Sequence, residues 1–292
     1  MLFRSAVRSK RDLPPEGLIP RPAPRQWWEG EEPVELRLTA NAGVLLTFRG
    51  EKLLVDGLHN SRAHDFSPVA PETLAALAAG APPWDGIRWL FYTHLHIDHF
   101  SGRETIRFLE GNRVEKLFLP AGNGGPGIDR EDVSALRGWL TERAAPVQEL
   151  RLPEYRSVTY PLANGIRVTV FRSLHAAEEF EEVEHECFLF DLAGKKVLFL
   201  GDSNYDRDYF ATMLDGVEVD TAVVNPLFLT NPSGRSVVLE GVRPRRVVID
   251  HIPFREDDRL HMRKLVTRSL ERWGETFPPV AVLWEAGDAV RL

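Results

Sequence analysis

The sequence predicts an α/β fold. Short apolar segments typical of strands alternate along the chain with segments of helical periodicity, and the strands fall into two groups that each have flanking helices. The chain has 292 residues, of which 43% are hydrophobic, so it can bury a large core. We therefore expect one domain over residues 34–292, preceded by an N-terminal extended arm over residues 1–33.

The first half of this domain is predicted to begin as a meander of three strands. The first two strands are joined by a turn that contains Asn41 and Gly43, and the third strand runs into Asp56. Three helices are predicted from apolar periodicity and from residues typical of helix ends. One such residue is Gly111, which follows the second helix. The strands are expected at 34–38, 43–48, 52–55 and 87–92, and the helices at 71–79, 102–110 and 129–144.

The second half is predicted to contain further strands and one charged helix. The glycine-rich run 121–127 lies before it and lacks the lysine and the Ser/Thr of a phosphate-binding loop, so we interpret it as a rim loop. The strands are expected at 166–171, 187–191, 196–200 and 246–249, and the helix at 257–273.

Four potential metal ligands lie within six residues, directly after the strand 87–92. They are His94, His96, Asp98 and His99. Imidazole and carboxylate are ligands that zinc, iron and manganese accept. Two histidines at i and i+2 can converge on one ion only if the backbone bends into a loop, and Asp98 and His99 would then suit a second ion that shares a nucleophilic water. A merely hydrogen-bonded polar loop is the alternative, which the position between a buried-type strand and a helix disfavours.

This His-x-His-x-Asp-His motif resembles the signature of the metallo-β-lactamase superfamily, and residues similar to the family's other motifs follow in order at strand ends. They are Asp56 upstream, and His175, Asp202 and His251 downstream. The resemblance covers roughly residues 34 to 290, nearly the whole chain. It implies a four-layer αβ/βα sandwich, in which two mixed β-sheets with outer helices hold the metals between them at one edge.

The resemblance also implies a set of ligands for two divalent ions, with zinc expected and manganese or iron as alternatives. One ion would take His94, His96 and His175. The other would take Asp98, His99 and His251, and Asp202 would be shared between the two ions. Asp56 would brace the metal loop without binding metal.

The third motif leaves an alternative open. His185 precedes the strand 187–191, and its spacing permits it to take the place of His175; we favour His175 because it follows a strand, as the other ligands do. His185 would then be a pocket or bracing residue. His59, close after Asp56, is expected to face the same cleft.

The resemblance to single-domain, lactonase-like or phosphodiesterase-like members implies a metal-dependent hydrolase. A water activated by two metal ions would attack a small-molecule ester, lactone or phosphodiester, with Asp98 orienting that nucleophile. Two alternatives remain. The chain could be a mononuclear iron enzyme of the sulfur dioxygenase type, which would use the same histidines, or a non-catalytic binding or scaffold member of the fold.

Composition limits the partners and the compartment. The single cysteine, Cys187, excludes an internal disulfide and suits a reducing compartment, so a cytoplasmic location is expected. No apolar run reaches transmembrane length. The formal charge of −7 provides no general attraction for nucleic acid. The arm over residues 1–33 carries basic residues and the pair Trp27 and Trp28, and it is expected to lie across the domain or a partner subunit in a homo-oligomer, with a transit-like peptide as the alternative.

Overall fold

The structure is a computed structural model that describes residues 33–122 and 124–292, so the predicted N-terminal arm lies almost wholly outside the described residues. The strands are β1 (Glu35–Ala40), β2 (Gly43–Phe48), β3 (Glu51–Val55), β4 (Ile87–Phe91), β5 (Lys116–Pro120), β6 (Val147–Leu150), β7 (Ser157–Pro161), β8 (Ile166–Ser173), β9 (His185–Leu192), β10 (Lys195–Phe199), β11 (Thr221–Val224), β12 (Arg246–Ile249), β13 (Val280–Val282) and β14 (Ala289–Arg291). The helices are α1 (Pro71–Ala78), α2 (Gly102–Gly111), α3 (Arg130–Glu142), α4 (Arg207–Met213), α5 (Leu227–Thr230), α6 (Pro232–Ser236) and α7 (Met262–Trp273). A π-helical turn spans Val237–Val242, and short 3-10 turns span Glu178–Phe180 and Gly274–Thr276.

The strands form two mixed sheets of seven strands each. The order in the first sheet is β14-β1-β2-β3-β4-β5-β6, and in the second β13-β12-β11-β10-β9-β8-β7. In both sheets a set of antiparallel strands continues into a set of parallel strands: pairing is antiparallel from β14 to β3 and from β7 to β10, and parallel beyond. The predicted pair of mixed sheets is thereby confirmed.

Helices cover the outer face of each sheet, and the sheets pack against each other through aromatic side chains. Buried residues of α1, α2 and α3 join the core of the first sheet, whereas those of α4, α5 and α7 pack with the second. Between the sheets, the Phe91 ring stacks on Phe118 at 4.5 Å and meets Phe188 and Phe190 edge-on at 5.2 and 5.0 Å. Such aromatic pairs each contribute about 0.5–1.5 kcal/mol beyond the burial of their area. The four-layer arrangement is therefore held at its centre by this phenylalanine cluster.

Several predicted boundaries differ from the observed ones, and two of the differences have identifiable reasons. The charged helix begins at Met262 and not at 257, because His261 is left-handed (φ 53°) and the Asp258 carboxylate accepts hydrogen bonds from the amides of Met262 and Arg263 at 2.7 and 3.0 Å. The strand predicted at 187–191 extends from His185, which pairs with Ser173 in the neighbouring strand. His185 is therefore the first residue of β9.

Among the described residues, no helix is long and apolar enough to cross a membrane.

The topology gathers the predicted site residues at one edge. Asp56 follows β3, His94 follows β4 after two residues, and Asp202 and His251 follow β10 and β12. Each of these four strands has at least one parallel neighbour, and side chains that leave the carboxyl ends of such strands emerge at the same edge. The amide of His251 donates to the carbonyl of Asn41 at 2.9 Å, which ties the second sheet to the first there.

Candidate metal centre

The loop between β4 and α2 bends as the ligand spacing requires. The amides of His99 and Phe100 both donate to the carbonyl of His96, at 3.0 and 2.9 Å, so the chain turns back on itself after the second histidine. Ser101 then caps α2 by accepting from the amide of Glu104. This tight turn places the side chains of consecutive positions on different sides of the loop.

All seven side chains that the sequence analysis proposed as ligands come together around this loop. Their ligand atoms form three overlapping groups, and within each group the atoms lie within 4.8 Å of one another. The groups are His94, His96 and His175; His94, His99 and Asp202; and Asp98, His99 and His251. The first and third groups correspond to the two ligand sets that the resemblance implied, and Asp202 lies between them.

Asp56 fixes the orientation and the proton positions of two of these histidines. Its carboxylate accepts hydrogen bonds from the amide and the hydroxyl of Thr93, at 2.8 and 2.6 Å, and lies 3.0 Å from Nδ1 of His99. Since the hydroxyl proton of Thr93 is used in this way, its Oγ1 accepts from Nδ1 of His94 at 3.0 Å. Both imidazoles therefore carry a proton on Nδ1, which leaves the Nε2 lone pairs free to bind a metal.

The Nε2 atoms of the first group have no hydrogen-bond partner within the described part of the chain. Those of His94, His96 and His175 are buried and make no hydrogen bond with any described residue. Burying polar atoms without a partner is costly and rare in native proteins. Three such atoms that converge on one point are accounted for by a bound cation, so these residues fit a metal ion.

The third group, together with Asp202, holds charge at close range. Oδ2 of Asp202 lies 3.4 Å from Nε2 of His99 and 3.5 Å from Nε2 of His251, and Oδ2 of Asp98 lies 3.5 Å from the same atom of His251. Two carboxylates and two imidazoles thus surround a single point. Carboxylate and imidazole are a donor set that suits zinc, manganese and iron.

The pKa values differ between the two groups. In the first group burial dominates: it lowers the pKa of His94 and His175, and that of His96 to about 4, so these rings are neutral. In the third group burial acts in the same sense on His99 and His251, but the carboxylates of Asp98 and Asp202 outweigh it and raise both pKa values. A metal ion bound between these residues would replace the protons that the two carboxylates otherwise hold on His99 and His251.

His175 and His185, the two candidates for the third motif, lie in different surroundings. His175 contributes to the first group, although its Nδ1 is only loosely held, 3.4 Å from the amide of Ala177. His185 contributes to none of the groups. Its Nδ1 lies 2.8 Å from Oγ of Ser173, and its Nε2 faces Gly201, where an added Cβ would come within 2.8 Å of that nitrogen. Gly201 also has φ of 53°, so glycine is required there for two reasons.

His59 reaches the same region as a buried residue. It is fully buried, neither ring nitrogen has a hydrogen-bond partner among the described residues, and burial lowers its pKa to about 3 against the opposing charge of Asp98. The other histidines lie outside the ligand groups. His64 is half-buried and accepts a hydrogen bond from the amide of Phe66, and His261 is exposed.

Three aromatic residues that the sequence analysis did not single out line the centre. The Phe66 ring meets His251 edge-on at 4.3 Å, and Phe180 lies 4.7 Å from His96 and 5.0 Å from His175. The hydroxyl of Tyr205 is buried without a partner among the described residues, and burial followed by the charge of Asp202 raises its pKa. Only Tyr205 carried a sequence signal, because it follows Asp202 by three residues. The positions of the two phenylalanines beside the histidines depend on the paths of their loops.

Known structures share this fold at low sequence identity. YhfI from Bacillus subtilis, a metallo-beta-lactamase fold protein, is 16% identical with a TM-score of 0.54, and the alignment covers 90% of this chain and all of YhfI. Igni18, a metallo hydrolase from Ignicoccus hospitalis, is 14% identical with a TM-score of 0.53, over 89% of this chain and 99% of Igni18. CmlA, a diiron beta-hydroxylase from Streptomyces venezuelae, is 17% identical with a TM-score of 0.58, over 90% of this chain. This chain spans only 55% of the length of CmlA.

The sequence itself matches a family model. A search of curated proteins finds no match, and the structural neighbours are too distant to establish more than the fold. The model described as "Beta-lactamase superfamily domain", however, matches residues 53–252, which include every candidate ligand. With the two mixed sheets and the ligand edge described above, this match shows that the chain belongs to the metallo-β-lactamase superfamily.

Proposed function

We propose that this protein is a hydrolase that uses two divalent metal ions to cleave a small-molecule ester, lactone or phosphodiester. One observation carries the proposal: seven side chains from two sheets converge in groups whose ligand atoms lie within 4.8 Å of one another. Zinc is the expected metal, and manganese and iron suit the same donor set.

The ligands divide between two positions. His94, His96 and His175 would hold one ion through their unpartnered Nε2 atoms. Asp98, His99 and His251 would hold the other. Asp202 would be shared, since its Oδ2 lies 3.4 Å from Nε2 of His99 and 3.8 Å from Nε2 of His175.

The chemistry combines the ions with the residues around them. Two divalent ions supply a nucleophilic water at neutral pH and stabilise the negative charge that develops on the substrate oxygen. Burial raises the pKa of the Asp98 carboxyl, but charged neighbours, His99 first, outweigh it and lower the pKa, so the carboxylate stays ionised and would orient such a water as a hydrogen-bond acceptor. Phe66 and Phe180 wall the centre on two sides and limit the access of bulk water.

Tyr205 is placed to bind the substrate. Its ring is held edge-on against Phe228 at 5.1 Å, and its unpartnered hydroxyl remains protonated because its pKa is raised. A carbonyl or phosphoryl oxygen of the substrate would give this donor its missing partner.

Elemental analysis of protein purified without added metal tests the proposal. We expect about two equivalents of zinc, manganese or iron per chain, and loss of at least one in His94→Ala. His261→Asn is the matched control, because His261 is exposed and lies outside every ligand group, and asparagine tolerates its left-handed backbone. The metal-loaded protein should then hydrolyse members of a panel of lactones, esters and phosphodiesters.

The outcomes separate the three functions considered for the chain. A single equivalent of iron per chain would refute the two-metal hydrolase and favour an enzyme of the sulfur dioxygenase type. A protein that stays free of metal after incubation with all three ions would refute the metal centre and leave a binding role. Full turnover in both His96→Ala and Asp202→Ala would refute the ligand assignment.

A further inference from the structure

The segment between His175 and His185 is strongly acidic. Five of the seven residues from 178 to 184 are glutamates, and the other two are Phe180 and Val183. We call residues 178–184 the acidic segment. It begins with the 3-10 turn Glu178–Phe180, and the amide of Val183 donates to the carbonyl of Phe180 at 2.9 Å, so the segment is a compact turn.

The acidic segment lies at the mouth of the metal centre. The ring of Phe180 is 4.7 Å from His96 and 5.0 Å from His175, and these two histidines are only 6% and 7% exposed. Their Nε2 atoms have no partner among the described residues and belong to one ligand group. A substrate bound at that group therefore lies against Phe180 and its flanking glutamates.

Four of the five charges of the acidic segment are not neutralised within the described part of the chain. Glu178, Glu179, Glu181 and Glu182 are exposed and form no ion pair there. Glu184 reaches Arg172 only at 3.7 Å, and its Oε2 is buried without a hydrogen-bond partner. Glu186, two residues further on, is fully buried, and neither of its carboxyl oxygens has a hydrogen-bond partner among the described residues. Carboxyl oxygens without donors thus accompany the exposed negative charge.

The loop that places Phe66 against His251 carries no comparable run of like charge. The charged residues nearest to Phe66 in that loop, Arg62 and Asp65, have opposite signs. The run of negative charge beside Phe180 is therefore not matched beside Phe66. Adjacent like charges repel one another and do not favour folding, so the segment is best explained by what it attracts.

We propose that the substrate of this centre carries a cationic group, an ammonium or a guanidinium, which binds on the face of Phe180 between the glutamates of the acidic segment. This inference rests on the proposed hydrolase function and narrows its substrate class. An aromatic face and carboxylates together favour an organic cation, the ring by cation–π attraction and the carboxylates by steering and hydrogen bonding. The same field repels anions, so phosphodiesters are the least favoured of the candidate substrates.

The test compares substrates that differ only in charge. Acetylcholine and 3,3-dimethylbutyl acetate have the same shape, as do α-amino- and α-methyl-γ-butyrolactone. We expect kcat/KM of the metal-loaded protein to be about 10- to 100-fold higher for the cationic member of a pair at low salt, and the ratio to fall as salt is added.

Two variants with the same change of net charge provide the control. Replacing Glu178, Glu179, Glu181 and Glu182 together by glutamine should abolish most of the cationic preference. Replacing four exposed glutamates far along the chain from the segment, Glu110, Glu142, Glu271 and Glu275, should leave the preference as it was. Phe180→Leu, which keeps an apolar side chain but removes the ring, should lower the preference about 2- to 30-fold.

Binding of tetramethylammonium to the metal-loaded protein, followed by NMR, distinguishes failure of this inference from failure of the proposed function. Binding that weakens in the segment variant and not in the control variant supports the cation site even if no substrate is turned over, in which case the hydrolase proposal fails by itself. Hydrolysis without cationic preference, an equal loss of preference in both quadruple variants, or no binding of tetramethylammonium would overturn the inference.

Discussion

The Nε2 atoms of His99 and His251 face each other at 2.9 Å across the boundary between the two sheets. Asp56 holds a proton on Nδ1 of His99, so a neutral His99 ring would direct a lone pair at its neighbour. Two lone pairs at this distance repel, and either a proton or a metal ion between them removes the repulsion. The nearby carboxylates of Asp98 and Asp202 favour a positive charge at this point. The contact between these two histidines therefore requires either a proton or a metal ion between the two nitrogens.

The role of Asp56 can be tested with Asp56→Asn. The amide side chain carries no charge and cannot accept from both Thr93 and His99 as the carboxylate does. We expect metal affinity to fall about 10- to 100-fold, as it does when residues that brace a ligand are changed, with the ion at His99 lost first. Competition with a chelator measures the change. Asp258→Asn is the control, because Asp258 caps α7; an equal loss of affinity in that variant would contradict the role of Asp56.

Alanine variants at His175 and His185 should behave differently. Only His175 shares a ligand group with His94 and His96, so His175→Ala should lose metal. Its free energy of unfolding should then change little when a chelator is added. His185→Ala should retain both ions and lose about 1–3 kcal/mol of unfolding free energy, since it leaves Ser173 without its buried partner. Metal analysis and urea denaturation of the two variants provide the measurement. Loss of metal in His185→Ala, with His175→Ala unaffected, would exchange their roles.

The ligand edge was predictable from sequence because each ligand follows a strand that has a strong local pattern. The string from His94 to His99 lies in one loop, and parallel pairing then brings Asp202 and His251 to the same edge whatever the intervening loops do. The fold class followed for the same reason. A strand with an apolar run, such as β4, requires cover on both faces.

Several of the parts that the sequence analysis did not anticipate depend on distant pairing or on loop paths. Strand β14 has three residues and pairs with β1, some 250 residues earlier in the chain, so no local pattern marks it. Phe66 and Phe180 lie in loops, where an apolar residue among polar ones does not reveal the direction of its side chain. The start of α7 was misplaced because the capping by Asp258 depends on the left-handed conformation of His261.

Tyr205→Phe tests whether the unpartnered phenol contributes to turnover. The ring would keep its contact with Phe228, and only the hydroxyl beside Asp202 would be lost. We expect kcat to fall about 10²- to 10³-fold, as when an oxyanion donor is removed, while metal content stays the same. Steady-state kinetics together with elemental analysis would show this. A variant with unchanged kcat would mean that the hydroxyl does not contact the reacting part of the substrate.

The buried carboxyl of Glu186 gives a stability prediction that is independent of the metal. Burial, and then the charge of Glu184, raises its pKa well above the ordinary value, so the folded protein keeps a proton that the unfolded chain releases above its own pKa, about 4.5. Between these two pKa values the unfolded state binds fewer protons, and the free energy of unfolding falls by about 1.4 kcal/mol per pH unit from this group.

Glu186→Gln removes this dependence while keeping a neutral side chain of the same shape. The variant should therefore match the wild type at pH values below the unfolded pKa and become more stable than the wild type as the pH rises towards neutrality. Urea denaturation of both proteins over this pH range measures the difference, in which the titration of all other groups largely cancels. Glu110→Gln, at an exposed helical position, should show no such divergence. A Glu186→Gln variant that is less stable than the wild type at neutral pH would show that the carboxyl is ionised and paired in the folded protein.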